Sequence, residues 1–266
     1  MFPYHKTTQL VPTQIHLNAK NIQGLTSFYT DTLGLFVHEN KNDVVVLGSH
    51  QHPFLVLHHT PDFLSVSTQE SHLYHFAILV SERYQLAHVL QRLMSKHYPI
   101  DGASNHQISH AVYLTDPEGN GIELAYDRDS SYWPRLNDQL LDGQAMIKSF
   151  DADFYLNLKY PEEEVWHNHA VLGHVHFHSH DLEATESFMI HTLMYQLTMN
   201  LNNQARFYSV LDYHHHLGFN RWGNYTVPLE DNKLGFKKLV FEGSNIDEDK
   251  ALVDPNGFIF ELRKVT

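Results

Sequence analysis

The sequence predicts an α+β fold built from one unit repeated four times. Three observations predict it. Short apolar runs alternate with period two, as half-buried strands do. Two of those runs lead into stretches with apolar residues at helical spacing. Two of the units also close on the same chemistry: a D-P-x-G turn, at 116–119 and 254–257, followed by a strand that carries a glutamate.

Unit one begins with an alternating strand over 13–19. A helix follows, with Leu25, Phe28, Tyr29 and Leu33 on one face, and Gly34 is placed to end it. FLVLHH (54–59) is its last strand. Unit two opens with LYHFAILV (73–80) and continues in a helix over 82–97, whose apolar face is Leu86, Val89, Leu90 and Leu93. GIELAY (121–126) closes it. Unit three restarts at LGHVHFHSHDLEATESFMIHTLMYQL and ends in a strand read over HHHLGFN (214–220). Unit four runs from GFKKLVFEG (235–243) to VDPNGFIFELRK, with so few residues between that its helix is shortened or lost. The organisation expected is an N-terminal domain of two units over 11–128, a linker over 129–169 rich in Tyr, Trp and acidic residues, and a C-terminal domain over 170–266.

Composition excludes several functions. The chain has 266 residues, 42% of them hydrophobic, enough for a sizeable core. It has no cysteine, so disulfides, thiolate metal sites and a cysteine nucleophile are excluded. That usage suits a cytoplasmic protein. A formal net charge of −13 argues against a nucleic-acid partner, which needs a basic stripe. No apolar run approaches the length of a membrane span and none resembles an export signal, so neither is expected. There is no phosphate-binding glycine loop and no Gly-x-Ser-x-Gly elbow. The 23 histidines are too many for all to be functional, and position has to select among them.

The densest chemistry lies in HQISHAVYLTDPEGNGIE, from His106 to Glu123. Asp116, Pro117, Gly119 and Asn120 are turn residues. Glu123 sits one residue inside the strand that follows, between apolar neighbours. A carboxylate there is costly unless it pairs with a proton, a cation or a metal.

The spacing His106, Val112-Tyr113, Asp116-Pro117, Gly119, Glu123 resembles the extradiol signature of the vicinal oxygen chelate superfamily, which includes glyoxalases, bleomycin resistance proteins and extradiol dioxygenases. FYTDTLGL and LYHFAI add to the likeness, which covers nearly all of 11–263 outside the linker. Ala103-Ser104-Asn105 matches less well. Within the superfamily the chain looks like the two-domain catechol-2,3-dioxygenase-like proteins. The resemblance implies four βαβββ modules forming paired curved mixed sheets, with metal ligands on the first and last strands of each module.

Those strands offer Gln14 and His58, His75 and Glu123, His174 and His216 (His215 if the register slips), and Lys237 and Glu261. A protonated lysine is no metal ligand, and a salt bridge to Arg263 or Lys264 is the simpler reading of Glu261. Module four also has Ala251 where module two has Tyr113. If module one packs on two and three on four, each cup is imperfect. If two packs on three, one cup collects His75, Glu123, His174 and His216, with Tyr113 and His106 beside it. Economy favours the second packing. The resemblance then implies Fe(II), with Mn(II), Ni(II) or Zn(II) as alternatives. It gives His216 the role of acid/base or fourth ligand, and gives Tyr113 and His106 contact with substrate oxygens. A small aromatic diol and O2 are the expected partners, and homo-oligomerisation is left open. The implied activity is extradiol ring cleavage. The alternatives are a glyoxalase-like lyase or isomerase and a protein that binds aromatic compounds without turnover.

Overall fold

The computed structural model describes residues 2–133, 147–159 and 168–265, and the backbone of 135–136 and 139–140. Part of the expected linker, including 141–146 and 160–167, lies outside the described residues.

The first module is β1 (Val11–Ala19), α1 (Ile22–Ser27), β2 (Phe36–Lys41), β3 (Val44–Gly48) and β4 (Pro53–His59). Asn21 caps α1 by accepting from the Gly24 amide at 3.0 Å. The helix continues as a wider π-type stretch over Phe28–Leu33, and Gly34 ends it at φ 88, a left-handed conformation that glycine adopts without a Cβ penalty. The second module is β5 (His72–Val80), α2 (Arg83–Ser95), β6 (Gly102–Asn105), β7 (Ser109–Thr115) and β8 (Gly121–Asp127). Glu82 and Gln85 form a capping box at the start of α2, so the helix begins one residue after the expected 82. A two-residue pair, β9 (Arg135–Leu136) and β10 (Gln139–Leu140), and α3 (Ala152–Asn157) lie between the halves.

The third module is β11 (Val171–His178), α4 (Leu182–His191), β12 (Gln196–Asn200), β13 (Ala205–Ser209) and β14 (Leu217–Asn220). The expected strand over 214–220 is therefore only its second half, and His214–His216 lie in the approach to it. The fourth module is β15 (Gly235–Gly243), β16 (Lys250–Val253) and β17 (Ile259–Lys264), with no helix between β15 and β16.

Two large sheets result, in the orders β16-β17-β15-β1-β4-β3-β2 and β12-β13-β14-β11-β5-β8-β7-β6. At the centre of the first, β1 runs antiparallel to β15; at the centre of the second, β5 runs antiparallel to β11. The first and fourth modules thus share one sheet, and the second and third share the other. Within every module the first strand runs parallel to the last. The equivalent pairs are Asn18 with His58, Ala77 with Glu123, His176 with Gly218 and Val240 with Glu261. This fourfold register identifies equivalent positions across the repeat.

The two D-P-x-G turns are built alike. Asp116 Oδ1 accepts from the amides of Glu118 and Asn120, both at 2.9 Å, and Asp254 Oδ1 accepts from those of Asn256 at 2.9 Å and Phe258 at 2.8 Å. Each turn fixes where its last strand begins. Gly121, the first residue of β8, is required by close approach: a Cβ there would stand 2.1 Å from the Tyr74 carbonyl oxygen.

Most of the apolar interior is one cluster spanning both sheets and their helices. Leu86, Val89, Leu90 and Leu93 are all buried, as the helical spacing of α2 predicts. Each such leucine stabilises the fold by about 1.5–3 kcal/mol relative to an exposed one. Phe177 of β11 stacks on Phe258 at 4.3 Å, joining the two sheets. No helix among the described residues is long and apolar enough to cross a membrane.

Candidate metal centre

The second large sheet curves around three of the expected residues. His75 on β5, Glu123 on β8 and His174 on β11 are all buried, and one ligand atom from each lies within 4.8 Å of the other two. Glu123 Oε2 is 3.1 Å from His75 Nε2 and 3.2 Å from His174 Nε2. The register explains the convergence. Ala77, two residues beyond His75 on the same strand face, pairs with Glu123, while β11 brings His174 in from the antiparallel side.

The donor set fits a divalent cation. His75 Nε2 is buried and has no hydrogen-bond partner among the described residues, although the Glu123 carboxylate is within reach of it. Nitrogen and oxygen donors bonded to one ion at about 2.0–2.2 Å stand roughly 3.0–3.5 Å apart, as Glu123 Oε2 does from His75 Nε2 and from His174 Nε2. Burial holds the His75 imidazole below its ordinary pKa and therefore neutral. Burial pushes the Glu123 carboxyl up, but His174 and His75 outweigh it and keep the group well below the usual carboxylate range. A neutral imidazole and an ionised carboxylate are the forms in which these side chains bind metal.

Tyr113 and His106 stand beside this triad. Tyr113 on β7 pairs across the ladder with Glu123, and its ring is 5.8 Å from that of His75. Its hydroxyl is 2.8 Å from His106 Nε2. Burial, then the Glu123 charge, raises the Tyr113 pKa well above that of a free phenol, so its proton stays on.

His216 is not brought to the centre. Its Nε2 donates to the Tyr4 carbonyl at 2.8 Å, which leaves Nδ1 to accept from the Ser209 hydroxyl at 2.7 Å. Both ring nitrogens are used. The expectation fails by register: the position equivalent to Glu123 in the third module is Gly218, two residues further on, so no side chain supplies a fourth donor there. His215 is the histidine of the tract that faces the centre, its ring packed on His174 at 4.3 Å between centroids.

The walls of the cup were less visible in the sequence. His176 packs against His75 at 5.2 Å, Phe207 at 5.3 Å and Trp222 at 5.3 Å, and Tyr74 closes on Trp222 at 5.5 Å. Asp127, on the Glu123 face of β8, was also missed, although its period-two spacing from Glu123 is a signal that could have found it.

The equivalent positions in the other sheet are His16, His58, Lys238 and Glu261, not Gln14 and Lys237 as expected. His16 Nδ1 and His58 Nε2 are 2.8 Å apart, and Gln14 Oε1 is bonded to the other nitrogen of His16 at 2.9 Å. The Lys238 ammonium and Arg263 both pair with Glu261. An internal cation occupies the carboxylate of this second cup.

Comparisons agree with this architecture. Residues 11–124 match the family described as Glyoxalase/Bleomycin resistance protein/Dioxygenase superfamily. A protein named Catechol-2,3-dioxygenase from Bacillus subtilis (strain 168) is 29% identical over 218 residues, covering 80% of this chain and 75% of that protein. Two solved structures share the fold at low identity. A putative dioxygenase from Bacillus subtilis has a TM-score of 0.64 and 12% identity, covering 97% of this chain and 86% of that one. Glyoxalase I from Zea mays has a TM-score of 0.57 and 14% identity, covering 96% and 92%. With its four-module register and its paired curved sheets, the chain has the vicinal oxygen chelate fold, and its residues 11–124 form a domain of the glyoxalase/bleomycin resistance/dioxygenase superfamily.

Proposed function

We propose that this protein is a metal-dependent extradiol dioxygenase of the catechol-2,3 type, opening the ring of a small aromatic diol with O2. The observation that carries the reading is the three-donor set His75, Glu123 and His174 with Gly218 at the fourth equivalent position. Two histidines and one carboxylate on one side of a metal leave the other side free for two further ligands, the arrangement of non-haem iron oxygenases. The likeness to a protein named catechol-2,3-dioxygenase supports the same reading.

His75, His174 and Glu123 would hold the metal. Bound there, Fe(II), or Mn(II) in its place, supplies the redox chemistry that O2 needs to react with an electron-rich ring. The chain's own groups handle protons and position. His215, whose ring packs on that of His174, would take a proton from a diol hydroxyl. The Tyr113 hydroxyl, bridged to His106, is placed to hydrogen-bond a substrate oxygen. Phe207, His176, Tyr74 and Trp222 form an aromatic wall that suits a flat ring.

A glyoxalase-like reaction in a four-donor site is the less supported reading, because Gly218 and the occupied nitrogens of His216 leave that site one donor short. The test is oxygen uptake by anaerobically iron-loaded protein with a panel of catechols, read together with incorporation of both atoms of isotopically labelled O2 into a ring-opened product. Uptake with incorporation is the expected result. No uptake with any diol, together with turnover of a hemithioacetal by the nickel- or zinc-loaded protein, would replace this reading with the other.

A further inference from the structure

The aromatic wall of the cup continues outward beyond the metal triad. A bulge sets its first member. β5 and β11 pair His75 with His176 and then Leu73 with Phe177, so Tyr74 is an extra residue that the ladder skips. A bulge re-aims its side chains. The Tyr74 ring stands 4.9 Å from that of His75, 5.3 Å from His176 and 4.7 Å from His178. Trp222, just past β14, packs on His176 at 5.3 Å and on Tyr74 at 5.5 Å. Tyr225 stacks on His178 at 4.5 Å, with 27° between the rings. Tyr74 and Trp222 are nonetheless 38% and 50% exposed, so each keeps open ring surface beside a buried triad.

Hydrogen bonds hold this shelf in shape. Asn220, the buried last residue of β14, accepts from the Trp222 amide at 3.1 Å through Oδ1, and the same oxygen is 2.8 Å from His178 Nδ1. Its Nδ2 is 3.1 Å from His176 Nε2. Beyond Tyr225, the Thr226 amide donates to the Gln69 carbonyl at 2.8 Å, and the Val227 carbonyl accepts from the Ser71 amide at 2.9 Å. The segment that carries Trp222 and Tyr225 is therefore tied down at both ends. An aromatic surface ordered in advance spares a ligand the entropy cost of ordering it.

His178 is four residues beyond His174 on β11, about 13 Å of strand at roughly 3.3 Å per residue. That is longer than a single ring held at the metal. We propose that Tyr74, His178, Trp222 and Tyr225 form a second subsite, which takes a flat aryl group carried on the diol ring. The substrate class is then an aryl-substituted diol. This rests on the dioxygenase reading for the reaction, but not for the binding. The Tyr74 and Trp222 rings meet at 86°, so a planar guest lying on one presents its edge to the other. Offset-stacked and edge-to-face contacts are the two arrangements that aromatic pairs prefer. A saturated ring of similar size lacks the flat faces that this corner fits.

The experiment has two arms. In the first, zinc-loaded protein, which needs no turnover, is titrated with catechol and with catechols bearing a phenyl or a cyclohexyl group beside the diol. The phenyl compound is expected to bind about tenfold tighter than either of the others. Trp222→Leu and Tyr225→Leu, made singly and checked for folding by thermal melts, are each expected to shrink that gap. Equal affinity for the phenyl compound and catechol in the native protein overturns the subsite. So does equal affinity for the phenyl and cyclohexyl compounds, or a gap that persists undiminished in both folded variants. The second arm measures kcat/KM of iron-loaded protein with the same compounds, and the same order of preference is expected. Zinc-loaded protein that shows the preference, but whose iron-loaded form opens no diol, leaves the subsite standing and removes the dioxygenase reading. Iron-loaded protein that opens catechol without favouring the phenyl compound in either arm does the reverse.

Discussion

Gly218 lies beneath His176 so closely that a Cβ on it would come within 2.9 Å of the imidazole ring. The same added atom would stand 3.1 Å from Phe207. The position that would carry a fourth metal donor is therefore filled by the wall of the cup. Gly218→Ala is expected to keep its metal and lower kcat/KM by about tenfold, an effect of roughly 1.4 kcal/mol on transition-state binding, by pushing His176 toward the substrate. Steady-state kinetics with metal analysis check this. Unchanged kcat/KM would mean that His176 does not border the substrate.

A metal bound at this centre would depend on the triad. His75→Ala and Glu123→Ala are each expected to weaken metal binding by more than about 100-fold, beyond the range seen for residues that only support a ligand. Elemental analysis of dialysed protein reads the loss. Lys238→Met, in the other cup, is expected to leave metal content and turnover as they are. A fall in metal content in Lys238→Met would move the centre to the sheet containing β1 and β15.

Tyr113→Phe removes one hydroxyl beside an intact triad. It is expected to hold a full complement of metal and to lose activity by about 10- to 10⁴-fold, the span expected for loss of an acid or base group. Rapid-quench kinetics separate this from slower binding. A Tyr113→Phe variant with native turnover would leave the hydroxyl with only a packing role beside His106.

Stability is expected to fall on acidification. Burial is the main cause that holds His5, His58, His110 and His178 at about 4 and His16 at about 3, against an ordinary value of 6.5. Below pH 6.5 the unfolded chain takes up protons at these positions that the folded chain refuses, so the unfolded state is favoured as pH drops toward about 4. Each such histidine steepens the loss by at most about 1.4 kcal/mol per pH unit. Thermal melts across that window check the sign, and a Tm that rises as pH falls would contradict it. His16→Gln is expected to flatten the slope.

Much of this was legible from residue order. The period-two runs and helical stripes located β5, α2 and β8, because those elements bury one consistent face. Glu123 was legible because an isolated carboxylate between apolar strand residues has few stable explanations. The errors came where register decides. In sequence His214–His216 looks continuous with a strand, which points to His216 or, with a slipped register, His215, whereas β14 begins only at Leu217. In β15, Lys237 and Lys238 are adjacent and differ only in the face they occupy, and pairing with β1 is what distinguishes them: His16 lies opposite Lys238. Asp127 and His214, 87 residues apart, become partners only through long-range strand pairing, which leaves no local pattern.

The interleaving of the modules also bears on how the protein is made. His75 and Glu123 leave the ribosome well before His174, whose imidazole lies 51 residues beyond the carboxylate it meets. Until β11 has emerged and aligned along β5, the nascent chain exposes a sheet edge and holds a carboxylate with one imidazole. A metal held by this triad would therefore be captured late in biosynthesis, only once the two halves of one polypeptide have found each other.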